Sequence, residues 1–321
     1  MKIVITDAQT VFDELVTTAP LRALGEVTEY GLLRYDEVAE KIADADAVIC
    51  NKTVLDAHSL RLAKKLRYIG LFATGYNNID IDYCRAHGIA VCNAGSYSTN
   101  AVAQHTFALM LEAYNNTSRY NRYVHDGLWK CSATFSPFVY PLNELADKTL
   151  GIVGLGAIGQ AVAKIANAFQ MKVIGCNRSR REAEGVETVS FDELLRRSDI
   201  VTVHCPLNAD SRDMFNRDAF AKMKNDALFI NTARGGVVVE QDLYDALESG
   251  QIGMAAVDTI RVEPMEEDCI LMNAQNCIMT PHIAWAPVET RERLIGIVAE
   301  NIANFLAGHP TNRVDINFQL T

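Results

Sequence analysis

The sequence predicts an α/β protein built from two doubly wound, mostly parallel sheets. Three observations carry this. Short, almost wholly apolar runs alternate with helical patterns along the first hundred residues. The rhythm then breaks at a long stretch, 99–114, without Gly or Pro. A second alternating series follows, opening on Gly154-Leu155-Gly156-Ala157-Ile158-Gly159.

The chain has 321 residues, enough for about two domains. It is 49% hydrophobic and 22% charged, so it can bury full cores. The net charge of −10 repels nucleic acid and anionic membranes, and neither is expected as a partner. None of the 8 cysteines forms a C-x-x-C pair and no zinc cluster is visible, so no metal site is expected. Free thiols in apolar runs fit a reducing compartment. The opening Met1-Lys2-Ile3-Val4-Ile5-Thr6 reads as a strand and lacks the parts of a signal peptide. No apolar stretch is long enough to span a bilayer. The expectation is a cytoplasmic protein.

In the first series the expected strands are 2–6, 26–30, 47–51, 68–73 and 89–93, with helical stretches at 35–43 and 60–66. Strands apolar on both faces are those of a parallel sheet covered on both sides. Residues 99–114, rich in Ala, Leu, Met and Phe, read as a long buried helix with Ser98 or Thr99 as N-cap. A looser segment follows, with Trp129, Phe135, Pro137, Phe138, Tyr140 and Pro141. It reads either as a loop over its own core or as an arm, near 115–145, that contacts a second copy. The second series has expected strands at 150–153, 172–176, 200–205, 227–232, 254–258 and 277–280, with helices at 157–169, 191–197, 218–223 and 241–248. This fits a doubly wound dinucleotide domain. The stretch 289–306 is one amphipathic helix.

The glycine run follows an apolar strand and opens an Ala-rich helix. Gly154 permits a tight turn, Gly156 lets the backbone approach a pyrophosphate, and Gly159 allows close helix–strand packing. The helix start at Ala157 and Ile158 presents N–H groups and a positive dipole end to the phosphates. Alone such a run is a weak signal; the flanking strand and helix strengthen it. The second strand ends at Cys176-Asn177-Arg178-Ser179-Arg180-Arg181. An NAD site usually has Asp or Glu here. Neutral Asn177, with Arg178, Ser179 and further arginines, suits a 2′-phosphate, so NADP is favoured and NAD remains open.

Three charged or titratable residues come just after strands of the second series: Arg234 in Asn231-Thr232-Ala233-Arg234-Gly235-Gly236, Glu263 in Asp258-Thr259-Ile260-Arg261-Val262-Glu263-Pro264, and His282 in Thr280-Pro281-His282-Ile283-Ala284-Trp285. Strand C-terminal ends line the ligand crevice in this architecture. Each residue has a structural reading; their joint order after a dinucleotide fingerprint favours chemistry. With His204-Cys205-Pro206-Leu207, these motifs closely resemble the D-isomer-specific 2-hydroxyacid dehydrogenase family over nearly the whole chain. The resemblance implies a flavodoxin-like substrate domain from both chain ends (1–98 and 287–321) and an inserted Rossmann NAD(P)-binding domain (99–286). It also implies a homodimer formed largely through the cofactor domains.

The resemblance further implies roles for single residues. Arg234 binds the 2-oxo acid carboxylate and polarises its carbonyl. His282 is general acid in reduction and base in oxidation. Glu263 hydrogen-bonds His282 and raises its pKa. Asp258 orients the carboxamide end of the nicotinamide. Cys205, Pro206, Thr232 and Ala233 line the cofactor, and backbone groups near Thr74-Gly75 bind the substrate carboxylate. One departure is Gln104, where the family often has Glu. Asn51-Lys52-Thr53, the Thr74-Gly75 loop and His282 through Trp285 look like the glycerate dehydrogenase, or hydroxypyruvate reductase, branch. Asn51 and Lys52 could bind the polar end of hydroxypyruvate. Phe72, Tyr76 and Trp285 could instead line an apolar pocket for a branched or aromatic 2-oxo acid, or simply pack. No basic cluster for a phosphate and no further regulatory domain are seen, so a phosphoglycerate substrate is not expected. A non-enzymatic NAD(H)-sensing corepressor would keep the same residues; the acidic balance argues against it.

Overall fold

The computed structural model describes residues 1–178 and 183–316. Ser179, Arg180 and Arg181, expected at a 2′-phosphate, lie outside the described residues. The chain divides into two compact units, 1–98 with 285–321, and 99–284. The return to the first unit falls at 284/285 rather than at the expected 286/287.

The first unit is a five-stranded parallel sheet of β1 (Lys2–Ile5), β2 (Glu26–Glu29), β3 (Ala47–Cys50), β4 (Tyr68–Leu71) and β5 (Ala90–Cys92), in the order β2-β1-β3-β4-β5. This is the flavodoxin-like order, whose switch point lies between β1 and β3. The two-residue period of a strand sorts its side chains. Ile3, Ile5, Ile49 and Tyr68 face the helix Val288–Leu306, which contributes Leu294, Ile295, Val298 and Ile302. Val4, Val48, Ile69 and Val91 face the other way, onto Val38, Ile42 and Cys84. The expected helix at 60–66 is absent. The helix there is the single turn Ala57–Leu60, started by Asp56, whose side chain accepts the Ser59 N–H. Leu60, Ala63 and Leu66 are then buried by successive i→i+3 turns, whose spacing imitates a helical face.

The second unit is a seven-stranded parallel sheet of β6 (Thr149–Val153), β7 (Lys172–Cys176), β8 (Glu187–Thr188), β9 (Ile200–Val203), β10 (Leu228–Asn231), β11 (Met254–Val257) and β12 (Cys277–Met279). Its order, β12-β11-β10-β9-β6-β7-β8, is the doubly wound dinucleotide order with one strand added. Strand β8 was not expected: two exposed polar residues at a sheet edge carry no apolar signal. The long helix, Thr99–Asn115, packs Ala103, Phe107 and Met110 against Val162, Ala163 and Ala166 of the helix Ala157–Ala168.

Beyond the long helix the chain is not uniformly loose. Asn116 turns it at φ 50°, and a second helix, Thr117–His125, follows without a single buried residue. Its apolar residues, Tyr120, Tyr123 and Val124, stand at helical spacing in an otherwise polar stretch, but none of them is buried. The next segment exposes Trp129, Phe135 and Phe138, the last two at 90% and 86%. No helix among the described residues is long and apolar enough to cross a membrane.

Candidate active site

The glycine turn lies at the β6/β9 switch point of the second unit. Gly154 has φ 101°, and a Cβ there would stand 2.7 Å from the Cys205 nitrogen. A Cβ on Gly159 would stand 2.1 Å from the Gly154 carbonyl oxygen. These two glycines are therefore required by the protein's own packing. Gly156 differs: a Cβ there would meet nothing within 4 Å. It is also the N-cap of Ala157–Ala168 and offers no side chain to cap it. The first-turn N–H groups of Ala157 and Ile158 thus have no side-chain cap, next to the space left open at Gly156, and supply the donor set that a pyrophosphate requires.

The walls of this turn are neutral. Burial pushes the Cys176 thiol up to about 12 and raises that of Cys205, whose Sγ rests 3.9 Å from the Met214 sulfur. Pro206 accepts a hydrogen bond from Ser211 Oγ at 2.6 Å through its carbonyl. Asn177 follows β7 and is half-buried. Arg178 is 80% exposed at its side chain and donates to Asp210 at 3.0 Å, so the described arginine of this group is ion-paired at the surface.

The loops after β10, β11 and β12 carry the charged residues. Asn231 shapes the first: its Oδ1 accepts the Ala233 N–H at 3.0 Å, and its Nδ2 donates to the Arg234 carbonyl at 3.0 Å. Buried Thr232 meets Thr106 Oγ1 at 3.2 Å. Arg234 is exposed and extended, with Nη1 donating to the Ala233 carbonyl at 2.7 Å. His282 has φ 55°, a left-handed conformation that costs a non-glycine residue energy and is held only by its surroundings. Its Nδ1 donates to Glu263 Oε2 at 2.7 Å, and Glu263 Oε1 accepts the Ile260 N–H at 3.2 Å.

Asp258 provides the restraint. Its backbone carbonyl accepts the His282 N–H at 2.8 Å. Its carboxylate, 1% exposed, accepts Thr280 Oγ1 at 2.6 Å and the Ile283 and Ala284 N–H groups at 2.9 Å each. Burial disfavours its charge, but bonds from His105, Thr280, Ala284 and Ile283 outweigh that and hold the carboxyl below its usual range. The expected carboxamide contact would have to share this carboxylate with four protein partners. His105 was passed over in the sequence, yet its Nε2 lies 3.0 Å from Thr280 Oγ1 and 3.4 Å from Asp258 Oδ1. Gln104 beside it is exposed.

In the first unit the loop after β3 is also shaped by a buried carboxylate. Asp7, after β1, accepts the backbone N–H groups of Asn51, Lys52 and Thr53 at 2.6–3.0 Å, and the Thr53 hydroxyl at 3.0 Å. Asn51 Nδ2 donates to Thr10 at 3.1 Å. Thr74 donates its hydroxyl to the Gly95 carbonyl, and its own carbonyl accepts Asn93 Nδ2 at 2.7 Å; Gly75 follows, half-buried. Trp285 stands edge-on to Tyr97 at 6.4 Å. Phe72 is not available as a pocket wall. It is fully buried in the core against Phe12, because side chains just past β4 alternate into the sheet. Asp7 was missed in the sequence, although its place one residue beyond the predicted strand is where the strand-end rule looks.

A glycine turn fitted to a pyrophosphate, followed in the same unit by an Arg and a His–Glu pair at strand ends, defines a dinucleotide-dependent oxidoreductase. Among the described residues no group of three His, Cys, Asp or Glu side chains is arranged to hold a metal. The family model for the NAD-binding domain of D-isomer specific 2-hydroxyacid dehydrogenases matches residues 107–284. A hydroxypyruvate reductase of Blautia hydrogenotrophica is 40% identical over 98% of this chain and 100% of its own length. A glycerate dehydrogenase of Methylorubrum extorquens is 36% identical over 87% and 88%. The solved structure of an acyclic imino acid reductase in complex with NADPH and D-Arg has TM-score 0.87 and 33% identity, covering 98% of this chain and 100% of that one. The chain belongs to the D-isomer-specific 2-hydroxyacid dehydrogenase family and is an NAD(P)-dependent oxidoreductase of its glycerate dehydrogenase and hydroxypyruvate reductase branch.

Proposed function

We propose that this enzyme reduces a small 2-oxo acid, hydroxypyruvate or glyoxylate, to the D-2-hydroxy acid, with NADPH as the preferred cofactor. The observation that carries the reading is the 2.7 Å bond from His282 Nδ1 to Glu263. It leaves Nε2 as the ring nitrogen that passes a proton to the reacting oxygen. When bound, the reduced nicotinamide supplies the hydride to the carbonyl carbon. Arg234 offers a planar fork for the substrate carboxylate and for charge growing on the carbonyl oxygen. In reduction the imidazolium of His282 gives its proton to that oxygen; in oxidation the neutral ring takes it back. Gly156, Ala157 and Ile158 would hold the pyrophosphate on the turn that Gly154 and Gly159 allow, and Cys205, Pro206, Thr232, Ala233 and Asp258 would line the rest of the cofactor. Asn51, Thr74, Gly75 and Trp285 are assigned to the substrate on the first unit.

The substrate class rests on polar Asn51 and the Thr74-Gly75 backbone, and the named activities of the two relatives above point the same way. The NADPH preference rests on neutral Asn177 and the arginines beyond it. We further assign the enzyme to the cytoplasm, because cysteines set in apolar runs without a C-x-x-C pair suit a reducing compartment. A homodimer is inferred from exposed Phe135 and Phe138 and from the apolar groove between the helices Thr99–Asn115 and Ala157–Ala168.

The test is a panel of 2-oxo acids, small and polar through branched and aromatic, each with NADH and NADPH. The expected result is highest kcat/KM for hydroxypyruvate or glyoxylate with NADPH. A preference for branched acids would overturn the substrate, and nicotinamide binding without turnover would favour a sensing protein. Asn177→Asp is expected to move the NADPH/NADH ratio of kcat/KM toward NADH; an unchanged ratio would contradict the cofactor reading.

A further inference from the structure

Beside the charged loops lies a cluster that the reaction chemistry does not use. Arg261 stands two residues before Glu263. Its guanidinium pairs with Asp213, and its Nη2 donates to the Val238 carbonyl at 2.9 Å. Its backbone N–H donates to Glu240 Oε1 at 2.5 Å. Asp213 is held at φ 55°, and its N–H donates to the Gly236 carbonyl at 3.1 Å. A Cβ on Gly235 would stand 1.9 Å from the Ile260 carbonyl carbon, so the turn after Arg234 lies directly on the backbone of residues 260–261. Three segments are tied here: Asp213, the turn that follows Arg234, and the loop that carries Glu263.

We propose that Arg261 is a positioning residue for the acid–base pair: its clamp on Asp213 and Val238 keeps Glu263 against His282 and in register with the Arg234 turn. This rests on the reading of Arg234, Glu263 and His282 as the reacting groups. The Arg261 side chain is 39% exposed, and ion pairs at such exposure contribute little to folding. Its effect is geometric. Misplacing a reacting group by about 1 Å costs on the order of 100-fold in rate, far more than the pair contributes to the fold.

The test compares Arg261→Ala, Arg261→Lys and Asp213→Asn. The measurements are kcat, KM for the 2-oxo acid, cofactor Kd by fluorescence, and the downfield Nδ1 proton of His282 by NMR in the cofactor-free protein. That proton is assigned by its loss in His282→Ala. Arg261→Ala is expected to lower kcat by about tenfold or more, with KM and Kd within about twofold, and to broaden the resonance or move it upfield. Arg261→Lys is expected to recover part of kcat, because its ammonium keeps the charge and the donors for Asp213 and Val238 but sits on a flexible stem without the fixed plane of the guanidinium. Asp213→Asn removes the ion pair at constant size and carries the same expectation should the alanine variant fail to fold. An unchanged kcat and an unmoved resonance in a folded variant would overturn the proposal, as would equal losses in kcat and cofactor binding. Absence of turnover in the unmodified enzyme would refute the reaction instead, and the NMR signature would still decide the clamp.

Discussion

Asp7 in the first unit and Asp258 in the second are built alike. Each lies just past the end of a strand, Asp7 two residues after β1 and Asp258 immediately after β11, and each is almost wholly buried. Each accepts backbone N–H groups from the loop after a neighbouring strand: Asn51 to Thr53 after β3, Ile283 and Ala284 after β12. A buried charge is tolerated only when it is hydrogen-bonded, so both carboxylates are committed to holding a loop. The difference lies in what the loop carries. The Asp7 loop presents Asn51 and Lys52 with no residue of left-handed backbone. The Asp258 loop presents His282 at φ 55°, and only Asp258 has a histidine, His105, beside its carboxylate. On the roles proposed for these loops, one device serves recognition in one unit and strained acid–base geometry in the other.

Removing the two carboxylates should separate these roles. Asp258→Ala leaves two N–H groups and the Thr280 hydroxyl without their acceptor. It is expected to cost about 3 kcal/mol or more of stability and to lower kcat by roughly 100-fold or more as His282 leaves its geometry. Urea titration and steady-state kinetics read both. Asp7→Ala is expected to cost about 2–4 kcal/mol and to act mainly on KM for the 2-oxo acid, leaving cofactor Kd unchanged. Equal effects of the two variants on kcat would erase the distinction.

A smaller effect concerns acid. Burial pushes the His204 imidazole down to about 3, with Nε2 against Thr202 Oγ1 at 3.0 Å and Nδ1 enclosed without a partner. The unfolded chain binds that proton near 6.5, so between 6.5 and 3 the unfolded state holds more protons. The contribution is complete above pH 6.5 and lost as pH falls toward 3. Asp258, held below its usual range, adds loss of the same sign as pH falls through its folded value. The urea midpoint should therefore fall from pH 7 to 4.5, and less steeply in His204→Asn; identical slopes would remove His204 from the account.

The comparison also explains what could be read from the sequence. Strands buried on both faces announce themselves as apolar runs, and β7 and the helix Phe191–Arg197 lie where the pattern puts them. Strand β8 is two exposed polar residues, so no hydrophobic period marks it, and the helix Thr117–His125 has only Tyr120, Tyr123 and Val124 at helical spacing in a polar stretch that buries nothing. The placement of Arg234, Glu263 and His282 in loops beyond β10, β11 and β12 was legible because they follow predicted strands in order. Asp7, His105 and Arg261 were not. Their partners are backbone groups or side chains 44 residues distant in Asp7–Asn51, 175 in His105–Thr280 and 48 in Arg261–Asp213. Such contacts exist only once the sheet order is set. Of the two readings of Phe72, packing is the one that holds, and one residue decides which way a side chain past a strand turns.

The central claim is that His282 carries the proton and has no part in holding the cofactor. His282→Ala should lower kcat by roughly 100- to 10,000-fold, the range of general acid–base catalysis, while the Kd for NADPH measured by fluorescence titration stays within about twofold. Turnover near that of the unmodified enzyme, or a loss of cofactor binding as large as the loss of turnover, would contradict it.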